Sequence, residues 1–411
     1  MHDLLPPASA RRDALVDSFA EVFGRAGFGR IDTPLLEDLR VFQRVGEGTD
    51  VVAKEMYAFT DRDGTEVALR PETTAGVARA FVEHRPLTPW RVWYLSAHFR
   101  HEKPQRGRVR QHHQLGAEVF GVADPDLDAE VIAELCRWFS SIGLRSWRLE
   151  VNDIGTAAER TAYLAELRAY AEGRRGDIDP EDLPKIERNA LRLLDSKRPA
   201  TISAMADAPA LAGHVSDESA ARSARVLEGL RAAGLDPVVN PRLVRGLDYY
   251  NGTVFEVISE AIDASQSTIG AGGRYDGLVT AMGGPPTPGF GFGAGVERIL
   301  LACDAEACFD PTPVGPDAFV VTFGGDGSDA RDLVAALRAR GLAVQRAYDG
   351  RSAKAQMKAA DRSGAAVALL LGEDERRDGT VTVRPMRHDG EQTSLPTGDL
   401  DTLVASLRPL L

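Results

Sequence analysis

Residues 99–114 read FRHEKPQRGRVRQHHQ. Phe99 closes a run, Arg91–Phe99, that reads as a strand, and Leu115–Phe120 reads as its returning partner. The loop between them is dense in cations: Lys103, Arg106, Arg108 and Arg110. Side chains two or four apart on a strand share a face. Arg100 and Glu102 therefore project together, as do Gln114 and Glu118 on the return. One face then carries an arginine, two carboxylates and an amide, a group that an apolar core rarely tolerates, so a ligand is expected there. An arginine can hold a phosphate through two parallel N–H bonds. The competing reading is a charged hairpin on a solvated surface. His98, His101, His112 and His113 also fall here, but their mixed faces argue against a zinc site, which favours Cys or a tight His/Glu helix motif.

Working outward, 411 residues suggest about three domains of roughly 150 residues each. The hydrophobic fraction of 43% and charged fraction of 27% are those of a globular enzyme and exclude disorder as the main state. No run approaches the ~18 apolar residues of a membrane span, and the first residues lack a secretory pattern. Three cysteines, Cys136, Cys303 and Cys308, are too few for a disulfide scaffold. A cytoplasmic location is expected. Lys+Arg 49 against Asp+Glu 61 gives a net charge of −12. Such a field disfavours a DNA coat protein or an anionic-membrane binder, but leaves room for a local basic surface.

Residues 9–27 read as an amphipathic helix with Leu15, Val16, Phe19, Val22 and Phe23 at helical spacing. Strands are expected at Glu66–Leu69 and Trp147–Val151, and helices at Thr73–His84 and Asp128–Ile142. Residues 155–234 look helical and poor in strand signals, with a loop at Arg174–Pro184. Strands resume at Arg242–Leu247 and Gly252–Ile258. This order predicts an α+β domain on a mostly antiparallel sheet, residues 1–152 and 235–309, with a helical insertion at 153–234. DPTPVGP, residues 310–316, reads as a linker. Residues 317–411 alternate strand and helix and form an α/β module of their own.

Four further stretches carry chemistry. LRPETT, residues 69–74, leads a strand into a helix N-terminus, where unsatisfied N–H groups favour anions; a threonine that simply caps the helix is the plain alternative. RGLDYYNG, residues 245–252, places an arginine, an aspartate and paired tyrosines before a strand, with Asn251-Gly252 as an ordinary turn. GAGGRYDG, residues 270–277, has glycines that allow close backbone approach, without the context of a P-loop or dinucleotide fingerprint. GFGFGAGVERIL, residues 289–300, is a glycine-rich strand feeding a helix with Arg298 in its first turns; a surface arginine is the competing reading.

In this order the stretches resemble the histidyl-tRNA synthetase family of class II aminoacyl-tRNA synthetases. Arg245–Tyr250 and Gly272–Gly277 resemble its two histidine-specific signatures. Phe99–Glu102 with its basic loop resembles class II motif 2, and Gly293–Arg298 resembles motif 3. Phe19–Leu36 resembles motif 1, which implies a homodimer. The last module resembles the family's anticodon-binding domain. The resemblance implies ATP-dependent attachment of histidine to tRNA(His) through histidyl-adenylate, with ATP as substrate, Mg2+ bridging its phosphates and no protein metal ligand assigned.

By that resemblance Arg245, Arg100 and Arg298 are the catalytic cations. Glu72, Thr73, Thr74, Gln114, Glu118, Tyr249, Tyr250 and Tyr275, with Arg100 and Arg245, bind histidine. Arg100, Glu102, Arg108, His112 and Arg298 bind ATP. Lys103, Arg106 and Arg110 meet the tRNA acceptor end. Thr73 stands where the family usually has glycine, and would be strained if φ had to be positive. His112 stands where a phenylalanine usually stacks on adenine, and Val109 where tyrosine is common. The C-terminal module carries thirteen Lys and Arg against fourteen Asp and Glu; Arg351, Lys354, Lys358 and Arg362 recur at helical spacing and could form its basic face, or simply a solvated one. One rival is a non-catalytic synthetase-like subunit of ATP phosphoribosyltransferase. The anticodon-type module and the retained Arg245 and Arg298 argue against it. Another is a class II synthetase for glycine, threonine or proline, which the paired tyrosines oppose.

Overall fold

A computed structural model describes residues 3–44, 55–101, 109–194, 196–244, 249–263, 267–311, 315–325, 327–348 and 350–410. The chain divides into two compact units, Met1–Asp310 and Pro311–Leu411.

The first unit is built on an eight-stranded sheet. Its order is Gly29–Arg30, Trp90–Phe99, Gln111–Phe120, Gly289–Gly295, Thr268–Arg274, Asn251–Ser259, Trp147–Asp153 and Val238–Val239. Only the two outermost pairings are parallel; the five between them are antiparallel. Alternation decides what each face buries. In Gly289–Gly295 the residues Phe290, Phe292 and Ala294 enter a core with Leu115, Ala117 and Val119. The helix Ala8–Arg25 closes that core with Leu15, Val16, Phe19 and Phe23; Phe19 lies edge-on to Trp138 at 4.9 Å. Trp138 belongs to the helix Pro125–Ser141, which starts on an Asp124 cap followed by proline. The opposite face meets a second cluster that includes Tyr94, Phe120, Tyr250 and Tyr275, with Ala75, Val77, Ala78 and Phe81 of the helix Thr74–His84.

Residues 155–234 are mostly helical, with Ala157–Gly173 and Asp217–Ala232 the longest elements. Thr156 and Glu159 form a reciprocal capping box at the first. Val226 and Leu230 of the second are buried in the first core.

One expectation changes. Arg242–Val244, the described part of the expected strand 242–247, is turn and coil. The Asn240 side chain accepts the Arg242 N–H at 3.0 Å and the Asn240 carbonyl accepts the Leu243 N–H at 3.0 Å, which bends the backbone after Pro241 away from pairing. The glycine-rich stretch at 270–274 is an interior strand. There a Cβ on Gly272 would stand 2.1 Å from the Gly291 carbonyl, so low strand propensity yields to close packing.

The second unit has a five-stranded mixed sheet ordered Val344–Arg346, Ala318–Thr322, Val367–Leu371, Thr380–Pro385 and Thr393–Pro396. Helices Ser328–Arg338, Ala353–Ser363 and Leu400–Leu407 accompany it. In Ala353–Ser363 the buried residues are Gln356 and Ala360, so Lys354, Lys358 and Arg362 lie on the solvent side together with Arg351 just before it.

Candidate active site

The centre of the site is Glu118, fully buried on Gln111–Phe120. Thr74 donates to its Oε1 at 2.6 Å and Tyr94 at 3.2 Å. Tyr275 donates to Oε2. Burial pushes the carboxyl up to about 8, against these hydrogen bonds, and the nearby Glu72 pushes the same way.

The strand Gly289–Gly295 clears the space beside it. Gly291 pairs with Glu118 and Gly293 with Gly116. A Cβ on Gly291 would stand 1.7 Å from Glu118 Oε2, and one on Gly293 would stand 2.6 Å from Gln114 Oε1. The alternation that sends Phe290 and Phe292 into the core therefore turns bare backbone toward Glu118 and Gln114. This is the physical sense of the glycine repeat.

Glu72, Thr73 and Thr74 sit at the start of the helix Thr74–His84. Glu72 Oε1 accepts the Ala75 N–H at 2.9 Å, so Glu72 serves the helix end. Its Oε2 is buried with no hydrogen-bond partner among the described residues, and burial pushes its carboxyl up. Thr73 has φ −108° and ψ −28°. That is ordinary backbone for a threonine, so the departure from glycine brings no strain. Its hydroxyl meets His98 Nε2 at 2.7 Å. The rings of Tyr249, Tyr250 and Tyr275 form a cluster, with centroids 4.6 Å, 5.7 Å and 6.4 Å apart.

The other end of the site is cationic. Arg100 donates from Nε to the Pro71 carbonyl at 2.9 Å, and Arg298 donates to the Thr268 carbonyl at 3.2 Å. Both act on His112: burial first, then Arg100, pushes its imidazole down to about 4, with Glu297 opposing and Arg298 adding to the effect. Glu297 accepts the His113 N–H at 3.0 Å and contacts its Nδ1 at 2.9 Å. Arg110 is exposed.

The structure thus brings together Glu72, Thr73, Thr74, Gln114, Glu118, Tyr249, Tyr250 and Tyr275, and sets Arg100 and Arg298 each within electrostatic reach of His112. Arg245, Glu102, Lys103, Arg106 and Arg108 lie outside the described residues. Sequence reasoning missed Tyr94 and Glu297, and weighed His98 only as a zinc ligand. Tyr94 stands opposite Gly116, and His98 opposite His112; period two along Trp90–Phe99 hints at their shared face, but the partner strand's register decides it.

A mostly antiparallel sheet carrying this site, followed in the chain by a separate α/β module, defines the class II aminoacyl-tRNA synthetase type. A crystal structure of apo histidyl-tRNA synthetase from S. aureus superposes with a TM-score of 0.83 at 30% identity, covering 99% of this chain and 98% of that one. A family model for histidyl-tRNA synthetase matches residues 1–299, and one for the anticodon binding domain matches 317–407. The chain is 44% identical to a histidine–tRNA ligase of Rubrobacter xylanophilus, over 97% of this chain and 96% of that protein. It is 45% identical to one of Rhodococcus erythropolis, over 100% and 96%. The chain belongs to the histidyl-tRNA synthetase family.

Proposed function

We propose that this chain carries out its family's ligase reaction with Glu118 and Glu72 as the acidic walls of the histidine pocket and Arg100 and Arg298 on the ATP phosphates. The observation that carries this reading is the pairing of two buried carboxyls, one under three hydroxyls and one with an uncommitted oxygen. A ligand with an ammonium group and an N–H-bearing ring satisfies both. A pocket built for such hydrogen bonds rejects isosteres that lack them by large factors.

The histidine carboxylate attacks the α-phosphorus of ATP, and pyrophosphate leaves. The terminal ribose hydroxyl of tRNA(His) then attacks the acyl carbon of histidyl-adenylate, and AMP leaves. Cations placed where negative charge develops lower the barrier to the first step. Arg245 is assigned the bridge between histidine carboxylate and α-phosphate, and Glu102, Arg108 and His112 the remaining ATP contacts. Lys103, Arg106 and Arg110 are assigned to the tRNA acceptor end. Mg2+ neutralises phosphate charge in such reactions. Among the described residues no group of three or more His, Cys, Asp or Glu is arranged to hold a metal.

The same reading assigns residues 1–152 and 235–309 to catalysis, 153–234 to an insertion and 317–411 to the anticodon, in a cytoplasmic homodimer. Among the described residues no helix is long and apolar enough to cross a membrane. The test is pyrophosphate–ATP exchange with a panel of amino acids. Exchange supported by histidine alone is expected; exchange driven equally by glycine, threonine or proline would sink the pocket assignment.

A further inference from the structure

His98 stands between the two halves of the site and belongs to neither. It is fully buried on Trp90–Phe99. Its Nε2 meets the Thr73 hydroxyl at 2.7 Å. Its ring lies perpendicular to that of His112, its cross-strand partner, with centroids 5.4 Å apart. Its Nδ1 is buried without a hydrogen-bond partner among the described residues. An uncompensated buried nitrogen is costly, and such groups in native structures call for a functional explanation.

Each neighbour leads to a different substrate. Thr73 is the residue that begins the helix Thr74–His84. The next residue, Thr74, bonds Glu118, and the preceding one, Glu72, caps Ala75. Three other bonds already tie this entry segment to the strand: Phe99 N–H to the Arg70 carbonyl at 3.0 Å, Arg70 Nε to the Ala97 carbonyl at 2.8 Å, and Arg100 Nε to the Pro71 carbonyl at 2.9 Å. All three involve residues 70 and 71. Beyond Pro71, the contact from Thr73 to His98 fixes the turn to the end of this strand, and Thr74 meets Tyr94 further along it. On the other side, His112 lies within the fields of Arg100 and Arg298. Burial disfavours the charged form of both imidazoles, and the perpendicular rings make a packing contact.

We propose that His98 is a positioning residue that couples the amino-acid pocket to the nucleotide side, holding the start of the helix through Thr73 and the His112 ring through its own. This rests on the assignment of histidine to Glu118 and of ATP to the arginine end. A ligand that settles Glu72 and Thr74 also settles Thr73. It thereby selects the His98 ring position that supports His112, so each substrate prepares the site of the other. Coupling of this kind is reciprocal, and packed side chains running from Thr73 through His98 to His112 give it a route.

The test is calorimetric titration of the full chain with histidine, with and without saturating α,β-methylene-ATP. The readout is the ratio of the two dissociation constants. Affinity lost by a variant for histidine alone cancels in that ratio. Wild type is expected to bind histidine about 5-fold or more tighter with the analogue present. Thr73→Val removes the hydroxyl at constant volume and should bring the ratio to near one, while Thr73→Ser should restore it. His112→Ala cuts the chain from the other end and should also bring the ratio to near one, which keeps the test decisive if Thr73→Val fails to fold. A wild-type ratio of one, or a wild-type ratio retained by either cut, overturns the inference. If the exchange assay shows histidine-dependent activity alongside that result, only the inference falls; absence of such activity overturns the pocket assignment as well.

Discussion

The Thr74 hydroxyl donates to Glu118 across 2.6 Å, joining the first turn of a helix to a strand 44 residues further along the chain. Thr73, at the cap position just before Thr74, makes no side-chain bond to the helix end, and Glu72 takes over that task. The exchange of roles ties the orientation of a buried acid to the position of a helix.

Glu118→Gln should raise the KM for histidine in pyrophosphate exchange by about 10- to 100-fold, the range for losing a hydrogen bond to a charged group. An unchanged KM would remove Glu118 from the pocket.

The same substitution tests the titration of Glu118. The folded-state carboxyl lies at about 8, above its ordinary 4.5. Its protonated form therefore stabilises the ligand-free fold fully below about pH 4.5, and that contribution is lost as pH rises through about 8. The melting temperature of wild type should fall relative to Glu118→Gln between about pH 5 and about pH 9. Parallel curves would contradict the shift.

Gly291→Ala would force a methyl to 1.7 Å from Glu118 Oε2. We expect destabilisation of at least about 1–3 kcal/mol and loss of histidine-dependent exchange. Gly295→Ala is the control, because its nearest neighbours stand at 3.8 Å. Equal melting temperatures for the two variants would undo the account of the glycine strand.

Arg274 and Asp128 form a fully buried ion pair, to which Arg274 adds bonds to the Val122 carbonyl and to Asp276. Asp128→Ala leaves the guanidinium buried with its main counter-charge gone, a change worth about 3–5 kcal/mol of stability. Chemical denaturation would show it; a loss below about 1 kcal/mol would mean that solvent reaches the pair.

Arg245→Ala should cut exchange by about 100- to 1000-fold, the scale for removing one donor to developing charge. Wild-type rates would end the role assigned to it. Ending the chain after Asp310, where the two units divide, should spare exchange and weaken aminoacylation. A folded truncation lacking both activities would contradict that division of labour.

Much of this site could be read from the chain alone. Glu118, Thr74 and Tyr275 lie in stretches whose polar groups make no sense as core, and the resemblance assigned them to one ligand. Tyr94 escaped notice because an isolated tyrosine in an apolar strand looks like ordinary packing. Only its position opposite Gly116 aims its hydroxyl at Glu118. Arg242–Leu247 was expected to be a strand from its residue types, and the Asn240 turn overrode that preference over Arg242–Val244.

Local chemistry determined the helices, most of the strands, the division into two units and the polar stretches assigned to the substrates. Periodicity, capping residues and proline breaks act between near neighbours and are written in the chain. The tertiary structure decided which faces meet. Pairing Gly291 with Glu118 makes room for its carboxyl, and Thr73 meets His98 on the neighbouring strand. Those relations depend on strand register across long loops, where a slip of one residue would turn every side chain to the other face.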